Sequence, residues 1–214
     1  YSGFGVNRKG EIRFGLSAIK GMGTAAAEAI VSEREKNGPY KDIFDFAQRV
    51  DYSCVNRKAF ESLALSGGFD GFGLQREQYM GVNSKGEVFL DSLVRYGQRY
   101  QLDQQQATNS LFGGMDMVEI ATPPVPKGEV WSTIEKLNKE RDLVGIYLSA
   151  HPLDEYTVIL KSICNTKCME VGRDSDKKAL AEREELTFGG IVTNVSERFS
   201  AKTNKPFGFV TIED

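Results

Sequence analysis

Apolar residues recur along most of this chain with helical spacing, and the exceptions lie toward its two ends and in one central stretch. Near the start, Ile12, Phe14 and Leu16 alternate with polar or small residues, the period of an extended strand, after a turn at Asn7-Arg8-Lys9-Gly10. From Thr24 to Asn37, Ala26, Ala27, Ile30 and Val31 share one helical face, and Gly38-Pro39 stops the helix. A second helix is predicted from an N-cap at Asp42, with Ile43, Phe46, Ala47 and Val50 as its apolar stripe. A third starts near Asn56, carries Phe60, Leu63 and Ala64, and stops at Gly67-Gly68. A short fourth covers about 74–82, and 91–107 reads as a longer polar helix ending in Gln104-Gln105-Gln106.

Residues 108–129 break this period. They are rich in Thr, Gly and Pro (Pro123-Pro124-Val125-Pro126) and read as a linker or extended peptide. Helical spacing resumes at Ser132, which stands at capping-box distance from Glu135, with Trp131 as a staple residue. Pro152 interrupts it, and a further helix runs to about Ile163. Residues 172–185 form a charged connector. From Leu186 the pattern turns to strands: Leu186–Val192, a Lys-containing loop, then Phe207–Ile212. This reads as the first hairpin of a β domain. Two strands without the rest of a barrel leave open edges, so residues after about 186 are expected to be disordered or paired with another chain.

Composition narrows the function classes. The 214 residues are 40% hydrophobic and 27% charged, the balance of a globular protein with a sizeable core. No apolar run approaches the roughly 20 residues of a membrane span, and no secretory signal is visible, so no membrane partner is expected. The first residue is Tyr1 and the last four are Thr211-Ile212-Glu213-Asp214, inside an apolar pattern. Both ends are expected to be cuts in a longer protein. Three cysteines, an odd number, point to a reducing compartment. Net charge is −3, with eleven Lys/Arg against ten Asp/Glu in residues 1–80 and sixteen against twenty in the rest. Any nucleic-acid contact must come from placed groups and not from a broad basic field.

The segment whose residue types most strongly suggest a binding chemistry is Leu16-Ser17-Ala18-Ile19-Lys20-Gly21-Met22-Gly23-Thr24-Ala25-Ala26-Ala27-Glu28-Ala29-Ile30. It has helix–hairpin–helix form: an apolar anchor, Gly-x-Gly, then a helix with small residues toward the core. The glycines allow a tight turn and close approach to a phosphate. The helix behind them presents free N–H groups and the positive end of its dipole, and Lys20 adds a point charge. Lys20, Gly21, Met22, Gly23 and Thr24 are therefore the first candidate DNA-binding residues, in a grip on backbone that ignores sequence. A turn between two core helices is the plain alternative. A weaker copy lies at Ser66, Gly67 and Gly68, where a simple helix C-cap explains the glycines equally well. Arg57 and Lys58, at the start of the preceding helix, can reach phosphate or remain solvated surface charges. Ser110-Leu111-Phe112 suits a peptide that inserts into a partner's apolar pocket, but on residues alone it reads as a linker.

No catalytic residue, metal site or cofactor is expected. His151 lacks a neighbouring nucleophile pattern. Cys164 and Cys168 have CxxxC spacing without a second ligand pair. Walker A, Rossmann and nucleophile-elbow patterns are absent from the sequence.

Four blocks, in order, resemble one family: Ile12-Arg13-Phe14-Gly15-Leu16-Ser17-Ala18-Ile19-Lys20-Gly21-Met22-Gly23; Asn37-Gly38-Pro39-Tyr40-Lys41-Asp42-Ile43-Phe44-Asp45-Phe46; Ser66-Gly67-Gly68-Phe69-Asp70; and Leu143-Val144-Gly145-Ile146-Tyr147-Leu148-Ser149-Ala150-His151-Pro152-Leu153. They resemble the bacterial DNA polymerase III alpha subunits, the C-family replicative polymerases. The resemblance implies a mainly α fold: a tandem helix–hairpin–helix domain, a short N-terminal β-hairpin and a truncated C-terminal OB-fold segment. It implies 1–15 as the end of the fingers, 16–107 as the DNA-binding region, 108–129 as a linker with a clamp-binding peptide, 130–185 as the helical remainder and connector, and 186–214 as the start of the OB domain. It makes Gly67-Gly68 the second hairpin of the pair.

The same resemblance assigns sliding-clamp binding to Thr108, Asn109, Ser110, Leu111 and Phe112, with Thr108 where the family usually has Gln; Gln106 offers a shifted register. Lys202 and Lys205, in the loop Phe199–Lys205, become single-strand contacts of the OB fold. The implied partners are duplex DNA, single-stranded DNA, the sliding clamp and other replicase subunits, in the bacterial cytoplasm on the nucleoid. The family's catalytic carboxylates, with their Mg, are expected upstream of Tyr1, so this segment is expected not to polymerise. The competing readings are a DNA-repair module with borrowed hairpins and a protein-interaction scaffold.

Overall fold

A side chain closes the first turn. In the computed structural model, which describes residues 2–109, 120–171, 182 and 185–214, Asn7 Oδ1 accepts the N–H groups of Lys9 and Glu11, both at 2.9 Å. This brings β1 (Gly5–Val6) antiparallel to β2 (Ile12–Arg13). The alternation predicted here does not bury Ile12, which stays exposed; Phe14 and Leu16 are half-buried. Leu16–Ala18 then forms a single 3-10 turn. A full helix does not precede the Gly-rich turn, because Gly15 packs on the Gly3 backbone and the Ser17 N–H is taken by Ser2 O at 2.9 Å.

Helix starts follow the caps that the sequence displays. Helix α1 (Thr24–Asn37) ends at Gly38, whose φ of 84° is left-handed. Asp42 accepts from the N–H groups of Phe44 and Asp45 to open α2 (Ile43–Arg49). Asn56 accepts from the Ala59 N–H to open α3 (Arg57–Leu65). A 3-10 turn (Asp70–Phe72) and the four-residue α4 (Arg76–Tyr79) follow, then the long α5 (Phe89–Asn109). Helix α5 begins two residues before the predicted start and includes Thr108 and Asn109, the head of the expected extended peptide. Ser132 opens α6 (Thr133–Val144) by accepting from the Glu135 N–H at 3.2 Å, and Gly145 closes it.

These elements belong to one unit, Tyr1–Leu148. Its core is aromatic. Phe46 meets Phe69 with centroids 4.9 Å apart and Phe60 at 5.3 Å, both edge-on, geometries worth about 0.5–1.5 kcal/mol per pair beyond area burial. Phe89, Leu90 and Leu93 bring α5 onto this cluster. The second half of the predicted linker also packs on its own unit: Gln78 donates to Pro126 O at 3.1 Å, and Gly128 lies on the backbone of Glu77.

The second unit, Ser149–Asp214, contains a 3-10 turn (Asp154–Tyr156) running into α7 (Thr157–Ile163), another at Cys168–Val171, and an antiparallel hairpin. The hairpin consists of β3 (Ile191–Phe199) and β4 (Pro206–Glu213), paired from Ile191↔Glu213 to Phe199↔Pro206 with an irregularity at Thr193. The two strands pair with each other, a local ladder that closes without a barrel. The first strand starts at Ile191, later than predicted. Residues before it are engaged elsewhere: the Thr187 N–H donates to Asn165 Oδ1 at 2.9 Å and its carbonyl accepts from the Asn165 N–H.

Candidate nucleic-acid interface

The Gly-rich turn is anchored by its apolar residues and open at its polar ones. Ile19 and Met22 are buried, whereas Lys20, Gly21, Gly23 and Thr24 are exposed. Gly21 adopts φ +88°, and a Cβ there would stand 2.6 Å from Ser62 Oγ. Three hydrogen bonds fix the turn: Met22 N–H to Ile19 O (3.0 Å), Lys20 N–H to Leu143 O (2.8 Å) and Ser62 Oγ to Lys20 O (2.9 Å). Gly23 is the N-cap of α1 and has no side chain with which to cap it. The first-turn N–H groups have no intrahelical acceptor, and no acidic residue stands in that turn. The result is an exposed donor surface at the positive end of a 14-residue helix.

Lys58 joins this turn although the sequence places it beside the second one. Its Cε lies 3.2 Å and its Cγ 3.5 Å from the Cβ position of Gly21. The neighbouring Arg57 is held by carboxylates instead, donating to Asp91 at 2.7 Å and to Glu61 at 2.5 Å.

The second hairpin has a different environment. Gly67 has φ +85°, but the Arg76 guanidinium lies against it, where a Cβ would have no room. Ser66 is buried and bonds Leu63 O at 3.4 Å. The Gly68 N–H donates to Leu63 O at 2.7 Å, and the Asp70 N–H to Gly67 O at 3.1 Å. Arg76 pairs with Asp70 at 2.6 Å and with Glu140 at 2.8 Å. Glu140 is fully buried, and its other oxygen accepts from the Leu148 N–H at 2.5 Å. Only a three-residue turn follows, with the Asp70 carboxylate in it. Sequence reasoning missed this Arg76–Glu140 pair, whose members lie on α4 and α6.

The remaining candidates lie on other elements of the chain. Lys202 and Lys205 are exposed in the β3–β4 loop, closed by the Ser200 N–H on Lys205 O at 2.9 Å. Thr108 and Asn109 end α5, and Ser110, Leu111 and Phe112 lie outside the described residues. His151 Nδ1 accepts from the Leu153 N–H, a local turn contact. Among the described residues no group of three His, Cys, Asp or Glu is placed to hold a metal, and no helix is long and apolar enough to cross a membrane.

Comparison with known proteins agrees with this geometry. The family profile described as a helix-hairpin-helix motif matches residues 1–79, which include both turns. The chain is 34% identical over 216 residues to DNA polymerase III subunit alpha of Pasteurella multocida, covering 99% of this chain and 17% of that protein. It is 31% identical to the subunit of the same name in Caulobacter vibrioides, over 96% of this chain and 17% of that protein. For Vibrio cholerae the figures are 31% identity, 99% of this chain and 17% of the relative. The chain thus spans about one sixth of the length of the relatives it matches. With nearly every residue aligned to these subunits, and the hairpin motif within the alignment, the chain belongs to the DNA polymerase III alpha-subunit family.

Proposed function

We propose that this segment holds duplex DNA by its phosphate backbone within a replicative DNA polymerase. The observation that carries the reading is the exposed, uncapped N-terminus of α1 behind the left-handed Gly21, inside a matched helix–hairpin–helix motif. A grip made by backbone N–H groups and lysine ignores base identity, which suits a polymerase that must travel over every sequence. The parent protein would supply the chemistry, DNA-directed DNA polymerisation with Mg. Among the described residues no group of three His, Cys, Asp or Glu fits such a metal.

Three further parts of the reading rest on sequence resemblance. The segment Thr108–Phe112 would tether the polymerase to the sliding clamp. Lys202 and Lys205 would touch single-stranded template. Other replicase subunits would complete the assembly, on the nucleoid in the bacterial cytoplasm.

Gly23→Val tests the central claim. A Cβ at Gly23 meets nothing within 4 Å and its φ is −71°, so the side chain fits the fold while obstructing an approaching phosphate. Duplex affinity, measured by fluorescence anisotropy over a salt series, should fall in the variant. Equal affinity, or wild-type binding that ignores salt, would remove the backbone grip and leave a protein-binding scaffold.

A further inference from the structure

We infer that the tandem hairpins grip DNA from one side only: Lys58 supplies a second cation to the first hairpin, and the second hairpin is an internal tie closed to phosphate. The inference rests on the duplex-binding reading above and names which residues would do the binding.

Lys58 carries the first half. It projects from α3, yet its side chain runs along Gly21, the left-handed residue of the first turn. It is exposed and forms no ion pair with any described residue. Its neighbour Arg57, equally near the start of α3, is neutralised by Asp91 and Glu61. A Cβ at Gly21 would press on the Lys58 side chain, 3.2 Å from its Cε. Two lysines with no ion pair among the described residues, together with the N–H groups of α1, share one exposed turn, where an anionic oxygen is the complementary ligand.

The Arg76 bridge carries the second half. At the corresponding face of Gly67 the space is filled by a guanidinium already paired with two carboxylates. The N–H groups of Gly68 and Asp70 are bonded to protein carbonyls. Asp70 adds negative charge at the start of the following turn. A phosphate would have to displace a buried ion pair and approach a carboxylate, so this hairpin joins α3 to α6 and offers no anion site.

Three variants of the chain separate the possibilities, each titrated against a duplex of about 20 base pairs at several salt concentrations. Lys58→Gln removes one cation without touching the core. It should weaken binding several-fold and flatten the slope of log affinity against log salt by about 0.9, the loss of one phosphate contact. Thr24→Glu places a carboxylate at the first turn of α1, where a helix tolerates it well, and should also weaken binding. Gly71→Glu places the same charge beside the second hairpin, at a position whose Cβ meets nothing within 4 Å, and should bind as the wild type does. Wild-type affinity and slope in Lys58→Gln would overturn the role of Lys58. A loss in Gly71→Glu equal to that in Thr24→Glu would overturn the one-sided grip. Neither outcome touches the duplex-binding reading, which fails separately if the wild-type chain shows no salt-dependent binding.

Discussion

The main-chain N–H of Lys20 donates to the carbonyl of Leu143 at 2.8 Å, so the end of α6 holds the first hairpin in place. Helix α6 is itself held by Glu140, whose fully buried carboxylate bonds Arg76 and the Leu148 N–H. A hairpin early in the chain thus depends on a carboxylate far along it. Glu140→Ala should lose about 3–5 kcal/mol, the usual effect of stranding one member of a buried ion pair. Glu140→Gln keeps a shape able to accept from Leu148 and should lose less. Urea unfolding followed by circular dichroism measures both. A loss under about 1 kcal/mol in the alanine variant would show that Asp70 alone satisfies Arg76.

Gly21 and Gly23 look alike in sequence and should behave differently. Gly21 combines φ +88° with Ser62 Oγ at 2.6 Å from its Cβ position, and Gly23 has ordinary dihedrals and open space. Gly21→Ala should cost about 1–3 kcal/mol of stability, through strain at a left-handed site and displacement of Ser62. Gly23→Ala should cost under about 1 kcal/mol, the smaller penalty of a poorer N-cap. Comparable thermal shifts in the two variants would contradict this distinction.

The glycine at position 97 lies inside α5, where helix propensity alone favours alanine by about 1 kcal/mol. Its missing side chain is what lets α5 press on α2. A Cβ there would collide with the Ala47 carbonyl and the Tyr52 hydroxyl, which are themselves bonded at 2.7 Å. Gly97→Ala should therefore destabilise, by about 1–3 kcal/mol for an overpacked contact. A rise in melting temperature would mean that the helices separate at little cost.

These cases divide the structure by how far a signal reaches along the chain. The caps at Asp42, Asn56 and Ser132 were legible because a side chain bonds an amide two or three residues away. The turn at Gly21 was legible because its residue types sit together. Gly97, the Arg76–Glu140 pair and the approach of Lys58 to Gly21 were not, since each depends on a partner brought near by folding. Arg57 and Lys58 show the limit well. They are adjacent and both cationic, but Asp91 on α5 takes one and no carboxylate among the described residues takes the other. The late start of β3 has the same origin, because Asn165 engages Thr187 before the strand can begin.

Tyr40 gives a pH dependence. Burial, reinforced by the nearby Glu33 carboxylate, pushes its hydroxyl up to about 12, and that hydroxyl donates to Ile30 O at 3.0 Å. A folded-state value above the unfolded one near 10 means that the folded chain keeps the proton more tightly. The stability this contributes is full below about pH 10 and is lost as pH rises toward 12. Alkaline unfolding monitored by tyrosinate absorbance should show the wild-type chain losing stability in that window. Tyr40→Phe should be less stable at neutral pH and flatter across the window. Parallel wild-type and Tyr40→Phe curves would assign the alkaline loss to other groups.

If Thr108–Phe112 is the proposed clamp tether, α5 shapes how it binds. Thr108 and Asn109 are helical, so an extended peptide that begins at Thr108 must unwind the end of α5 when it binds. That unwinding would oppose binding, and Thr108 in place of the Gln that the resemblance implies would oppose it further. Thr108→Gln should therefore tighten binding of the chain to a purified bacterial sliding clamp, read by surface plasmon resonance. Leu111→Ala with Phe112→Ala should weaken it by roughly tenfold or more, as expected for a pair of buried apolar anchors. If Thr108→Gln changes nothing while Gln106→Ala weakens binding, the polar contact is made two residues earlier and more of α5 must open. If the Leu111 and Phe112 variant binds as the wild type does, this segment is not the tether.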